Sequence, residues 1–121
     1  MTNGELARAG YEAAARGELD RIAALLAPDV KWHAGDPTAV GTCQNREQAL
    51  QFMRQAVRRG GVGELVDVVD AGERVVVIMR RPAEGPEPSL VANVSRFVDG
   101  RVVEMVHYPK AADALAAVGA A

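Results

Sequence analysis

One cysteine, one tryptophan and two histidines are all that these 121 residues contain of those types. A lone Cys43 excludes an intramolecular disulfide and a thiolate zinc site, and it fits a reducing, cytoplasmic setting. His33 and His107, with no Asp/Glu cluster beside them, are a poor metal set, so neither a metal nor a cofactor is expected. No apolar run approaches the ~18 residues that span a bilayer. The Ala-rich tail 111–121 is interrupted by Asp113 and Gly119. No charged segment followed by an apolar stretch opens the chain, so no signal peptide is expected. Charge of one sign is also scarce. The net charge is −2, and the densest basic spots, Arg58–Arg59 and Arg80–Arg81, read as solvated charge at element ends. That leaves no electrostatic footprint for nucleic acid.

What remains is ordinary for a globular protein: 49% apolar and 25% charged residues, in a length that suits one domain over 1–121. Thr2 and Glu5 have capping-box spacing, which predicts a helix from about Asn3 with Leu6, Ala9, Gly10, Ala13 and Ala14 inward. Gly17 suits its left-handed stop. A second helix follows, with Leu19, Ile22, Leu25 and Leu26 buried and Pro28 as its end. A short strand is expected at Val30–His33, then a loop with Gly35, Asp36, Pro37 and Gly41. Asn45 and Gln48 form another capping pair for a helix over Arg46–Arg59, ended by Gly60–Gly61.

The second half reads as β, with strands at Glu64–Ala71, Arg74–Arg81, Leu90–Val98 and Arg101–Tyr108. A proline-rich loop, Pro82–Pro88, separates the middle two. Helices first and strands afterwards predict an α+β fold, an antiparallel sheet with the helices on one face. At the Asp99–Gly100 turn a two-residue loop would pair Val98 with Arg101, and a three-residue loop Phe97 with Arg101. The second is preferred here. It groups Asn93, Ser95, Phe97, Val103, Met105 and His107 on one face and sets Arg96 beside Glu104 on the other. Val75–Met79 is apolar at every position, whereas a sheet with one wet face should alternate. Its outer face should therefore be covered, and a second copy meeting sheet to sheet, a homodimer, is the expected cover.

Trp32 and His33 are the most chemically loaded dipeptide in the chain. They are expected at the mouth of a cavity between helices and a curved sheet. Imidazole titrates near neutral pH, so His33 or His107 could move a proton; the alternative is a strand histidine that only shapes the pocket. Trp32, Met53, Phe97 and Met105 are candidate pocket walls. Tyr11 points at pocket or solvent. Asp67 is either an inward base with a raised pKa or an outward edge residue. Cys43 would need a basic neighbour to be nucleophilic.

Three pieces in order, YEAAARGELDRIAALLAPDVKWH, then GTCQNREQALQF, then RFVDGRVVEMVHY, resemble the NTF2-like superfamily and within it the SnoaL-like, ketosteroid-isomerase-like proteins. The resemblance implies a cone: a strongly curved antiparallel sheet wrapped around three helices and enclosing a mostly apolar pocket, commonly in a dimer. It also implies where catalytic groups would stand. The isomerases' phenol, base and protonated carboxyl fall at Gly10, Ala34 and Asn93, and all three differ. Asn93 could still donate a hydrogen bond to an oxyanion. The Arg-x-Asp of the fold's epoxide hydrolases is absent, and Tyr108, Pro109 and Lys110 occupy the region of the cyclases' acid/base Asp. Two function classes follow. One is a pocket for a small apolar molecule, lined by Tyr11, Trp32, Met53, Asn93, Phe97 and Met105, or a dimerisation scaffold in which that pocket is vestigial. The other is a small isomerase, cyclase or hydratase using His33 or His107 on a carbonyl compound.

Overall fold

The structure is a computed structural model, and it describes residues 1–34, 43–58, 64–81 and 89–120. The elements are α1 (Asn3–Ala15), α2 (Leu19–Leu25), β1 (Leu26–Ala34), α3 (Arg46–Arg58), β2 (Glu64–Ala71), β3 (Arg74–Arg81), β4 (Ser89–Val98), β5 (Arg101–Tyr108) and α4 (Ala111–Ala117). The loop carrying Asp36 and Gly41, the Gly60–Gly61 break and the Pro82–Pro88 loop lie outside the described residues.

Both capping signals are realised. The Glu5 backbone N–H donates to Thr2 Oγ1 at 3.1 Å, and the Thr2 N–H donates back to Glu5 Oε1 at 3.0 Å. At α3 the Gln48 N–H donates to Asn45 Oδ1 at 2.9 Å. Gly17 takes φ +76° after α1, a left-handed conformation that costs a glycine little. The start of α1 is also tied to the β2–β3 hairpin, because the Gly4 N–H donates to Asp70 Oδ2 at 2.9 Å. That contact turns Gly4 and Ala7 inward and leaves Ala9, expected inside, exposed.

The sheet is curved and ordered β1-β5-β4-β3-β2. It is mixed rather than antiparallel throughout: β1 runs parallel to β5. No hairpin joins these two strands, so nothing local imposes the antiparallel sense. β1 also starts earlier than expected. The helix ends at Leu25, and Pro28 lies inside the strand. β1 is an edge, where a missing N–H is tolerated, and its register with β5 is irregular between Leu26 and Lys31.

The Asp99–Gly100 turn has two residues, both at positive φ (51° and 77°), and pairs Val98 with Arg101. The preferred three-residue loop is therefore corrected. A register shift then leaves Val103 between the pairs Phe97–Val102 and Arg96–Glu104. That bulge restores the expected facing: Asn93, Ser95, Phe97, Met105 and His107 share one side, with Val102 in place of Val103. Arg96 Nε stands 4.0 Å from Glu104 Oε1 on the other side.

Two clusters account for the unbroken apolar run in β3. Val75, Val77 and Met79 join α1, α2 and α3 in the main core. Val76 and Ile78 join Ala92 and Val94 under Ala111 and Ala114 of α4. The second face is thus covered by the chain's own fourth helix, and the run does not call for a second copy to cover it. Asp113 sits in the first turn of α4, where the dipole favours acid, and Gly119 ends it at φ +74°. The two residues that interrupt the alanine run are this helix's start and stop signals.

Candidate functional site

Strand pairing sets the floor of a cavity. One row across the sheet is Trp32–Met105–Ser95–Val75, and the next is His107–Asn93–Val77. Residues along a strand alternate faces, so these rows point the same way, toward the three helices. The roof is Ala7, Gly10, Tyr11 and Ala14 of α1, Ile22 and Leu25 of α2, and Phe52 and Met53 of α3. Ala7, Gly10 and Ala14 lie at i, i+3 and i+7, one helical face with little or no side chain. This is the physical reason for a hollow: α1 packs on the sheet without bulk to fill the space. The cavity is about 190 Å³, a little above the ~150 Å³ apolar void that admits benzene in an engineered protein.

Tyr11, Trp32, Met53, Asn93, Phe97 and Met105 all line this cavity, together with His107. His33 does not. It pairs with Val106, on the opposite side of the sheet from Trp32 and Met105. There its Nε2 stands 3.4 Å from Glu104 Oε2. Neighbouring residues on a strand cannot both face inward, so the expectation that both imidazoles share the hollow with the indole is corrected. Phe52 closes the Trp32 end edge-on, with ring centroids 4.9 Å apart, and is 47% exposed at the mouth.

Polar groups gather on one wall. His107 Nδ1 lies 2.8 Å from Asn93 Oδ1, and Asn93 Nδ2 donates to the Tyr11 hydroxyl. An amide oxygen only accepts, so this arrangement puts the His107 proton on Nδ1 and the neutral ring's lone pair on Nε2. Both functional ends of the Asn93 amide are therefore engaged in holding its neighbours. Ser95 follows Asn93 on the same face and is also buried. Among the described residues no carboxylate, lysine or arginine lines the cavity. None of their His, Cys, Asp and Glu side chains group in threes that could hold a metal.

The other candidates lie elsewhere. Asp67 is exposed on edge strand β2, past a register shift after Leu65, and accepts from the Val68 N–H at 2.8 Å. Cys43 is buried, with its backbone paired to Trp32, and burial pushes its thiol pKa up, away from a reactive thiolate. Sequence reasoning passed over Ser95 as a site residue, although it had placed it on the inner face. It also passed over Ala7, which the Ala7–Gly10–Ala14 spacing could have flagged.

An NTF2-like protein of unknown function from Burkholderia pseudomallei is 26% identical, with a TM-score of 0.70 over 98% of this chain and 99% of that one. A protein from a soil-derived mobile gene cassette, Bal32a, is 25% identical, with a TM-score of 0.71 over 88% and 87%. A putative polyketide cyclase from Sinorhizobium meliloti shares the fold at 16% identity, with a TM-score of 0.68 over 85% and 93%. No curated protein matches the chain. No described helix is long and apolar enough to cross a membrane. The family profile of the SnoaL-like domain matches residues 7–105. With that match and this architecture, the chain belongs to the SnoaL-like domain family and has the NTF2-like fold.

Proposed function

We propose that the protein binds one small, mostly apolar molecule in the hollow beneath α1. The observation that carries this reading is the composition of the walls: among the described residues, apolar side chains from three helices and four strands, with the few polar side-chain groups being those of Tyr11, Asn93, Ser95 and His107 and the indole N–H of Trp32. A largely apolar pocket with a few converging polar groups is the usual form of a small-molecule site. The positions that hold acid/base carboxylates in related enzymes are Ala34 and Asn93 here, which favours binding over proton transfer. Calorimetric titration with acetophenone, one ring and one carbonyl, tests it. A saturable 1:1 isotherm is expected, with a dissociation constant on the order of 10⁻⁴ M for so small a ligand. Absence of saturation with this and similar single-ring ligands would count against the reading.

A second reading rests on the Asn93–His107 contact. A neutral His107 ring that donates from Nδ1 to Asn93 Oδ1 carries its lone pair on Nε2, the form a general base needs. In that case His107 removes a proton alpha to a carbonyl and Tyr11 polarises the carbonyl oxygen. Exchange of the acetophenone methyl protons in D₂O, followed by proton NMR, separates the readings. Exchange faster than in buffer, lost in His107→Gln, supports catalysis; exchange at the buffer rate leaves a binding protein.

A further inference from the structure

We infer that Ser95 is the residue that selects the ligand, and that the ligand is an uncharged, single-ring-sized molecule carrying a hydroxyl or carbonyl oxygen placed against Ser95 Oγ. The inference rests on the binding reading above and goes beyond it by naming a ligand class and the contact that recognises it.

Ser95 is only 3% exposed and lies on the cavity floor. Its hydroxyl makes no hydrogen bond among the described residues, yet none of their fully enclosed polar side-chain atoms lacks a partner. The two facts are compatible only if Ser95 Oγ opens onto the cavity. A buried hydroxyl is stable with a partner and costly without one, and the space for that partner is the cavity. Asn93, two residues away on the same face, is already committed to His107 and Tyr11. Ser95, unlike Asn93, thus has its hydroxyl uncommitted among the described residues.

Charge and size narrow the class further. No Lys, Arg, Asp or Glu lines the cavity among the described residues. A carboxylate, phosphate or ammonium ligand would therefore be desolvated without a compensating charge. A volume of about 190 Å³ suits a single ring with a short substituent. Orientation follows from the sheet. Ser95 on β4 and Trp32 on β1 lie in one row with Met105 of β5 between them, about 10 Å apart at two strand spacings. The ligand's oxygen then meets Ser95, and its apolar body lies over Met105 toward Trp32.

The test compares three ligands of one shape, acetophenone, 1-phenylethanol and ethylbenzene, by calorimetry on the intact chain and on Ser95→Ala. The wild type should bind the two oxygenated ligands about five- to tenfold more tightly than ethylbenzene, the range of one net hydrogen bond. The preference should fall to near unity in Ser95→Ala. A carbonyl-¹³C label on acetophenone gives a signature that packing changes do not reproduce. The bound carbonyl should resonate downfield in the wild type and move upfield in the variant. A preference that survives in Ser95→Ala, or a wild-type bound carbonyl already at its value in hydrocarbon solvent, overturns the role of Ser95 while leaving the binding site intact. Failure of all three ligands to bind the wild type overturns the binding reading itself, and this inference with it.

Discussion

His107 Nδ1 lies 2.8 Å from Asn93 Oδ1 across the β4–β5 pair, in the row next to the one that holds Trp32 and Ser95. The contact ties a side chain able to titrate near neutral pH to one that cannot titrate at all. It therefore fixes the ring's tautomer without adding charge to an apolar pocket. Long-range ¹⁵N–¹H correlation spectra should show the neutral His107 ring protonated on Nδ1. In Asn93→Leu the Nε2-protonated form, which dominates in water, should take over. His33, on the opposite face beside Glu104, should keep its spectrum in that variant, and His33→Ala should change acetophenone affinity less than twofold.

The hollow exists because α1 is thin where it crosses the sheet. Ala7→Leu should fill part of it, weakening acetophenone binding at least tenfold, about 1.4 kcal/mol. Leucine is a good helix former and would bury fresh apolar surface in an existing void. The melting temperature should therefore stay level or rise. A fall in both affinity and melting temperature would mean that the space under Ala7 is not a void.

Asp70 presses on the first turn of α1. A Cβ added at Gly4 would come within 2.9 Å of Asp70 Oδ2, closer than real Cβ contacts come, and 3.0 Å from Asp70 Cβ, tighter than nearly all of them. Gly4→Ala should destabilise the fold by roughly 1–3 kcal/mol, the usual cost of overpacking, read from urea midpoints. Ala9→Ser, on the exposed side of the same helix, should change stability by less than about 0.5 kcal/mol.

Acid should loosen α1 at its cap. The Thr2 backbone N–H holds the Glu5 carboxyl below its ordinary value. A depressed carboxyl stabilises the fold above its unfolded pKa, and that contribution fades as pH falls through the folded value. Glu5→Gln keeps a capping oxygen but cannot titrate. Its melting temperature should therefore drop less than that of the wild type between pH 6 and pH 3.

Much of this was legible in the chain, and the reasons it failed elsewhere are physical. Thr2–Glu5, Asn45–Gln48 and Asp99–Gly100 are local signals, read by groups no more than three residues apart, and each stands where expected, the turn with two residues instead of the preferred three. The partner of an edge strand is not local. Nothing in Leu26–Ala34 specifies β5 or a parallel sense, and Pro28 reads as a helix end when no sheet edge is in view. The inner row of β4 and β5 was legible because alternation carries it. The bulge at Val103 was not, since it reconciles a two-residue turn with the facing that a three-residue turn would give. His33 was misplaced by reading a dipeptide as a unit in a strand whose period is two. The tail was missed because Asp113 and Gly119 look like interruptions until Val76 and Ile78 are seen to need a cover.

The chain's four methionines offer the most direct test of the central claim. Met53, Met79 and Met105 line the hollow, while Met1 is 82% exposed at the N-terminus. With ¹³C-methyl methionine and increasing acetophenone, the three cavity methyl signals should shift together and saturate with one dissociation constant, leaving Met1 still. Shifts confined to Met1, or spread equally over all four without saturation, would contradict a binding site beneath α1.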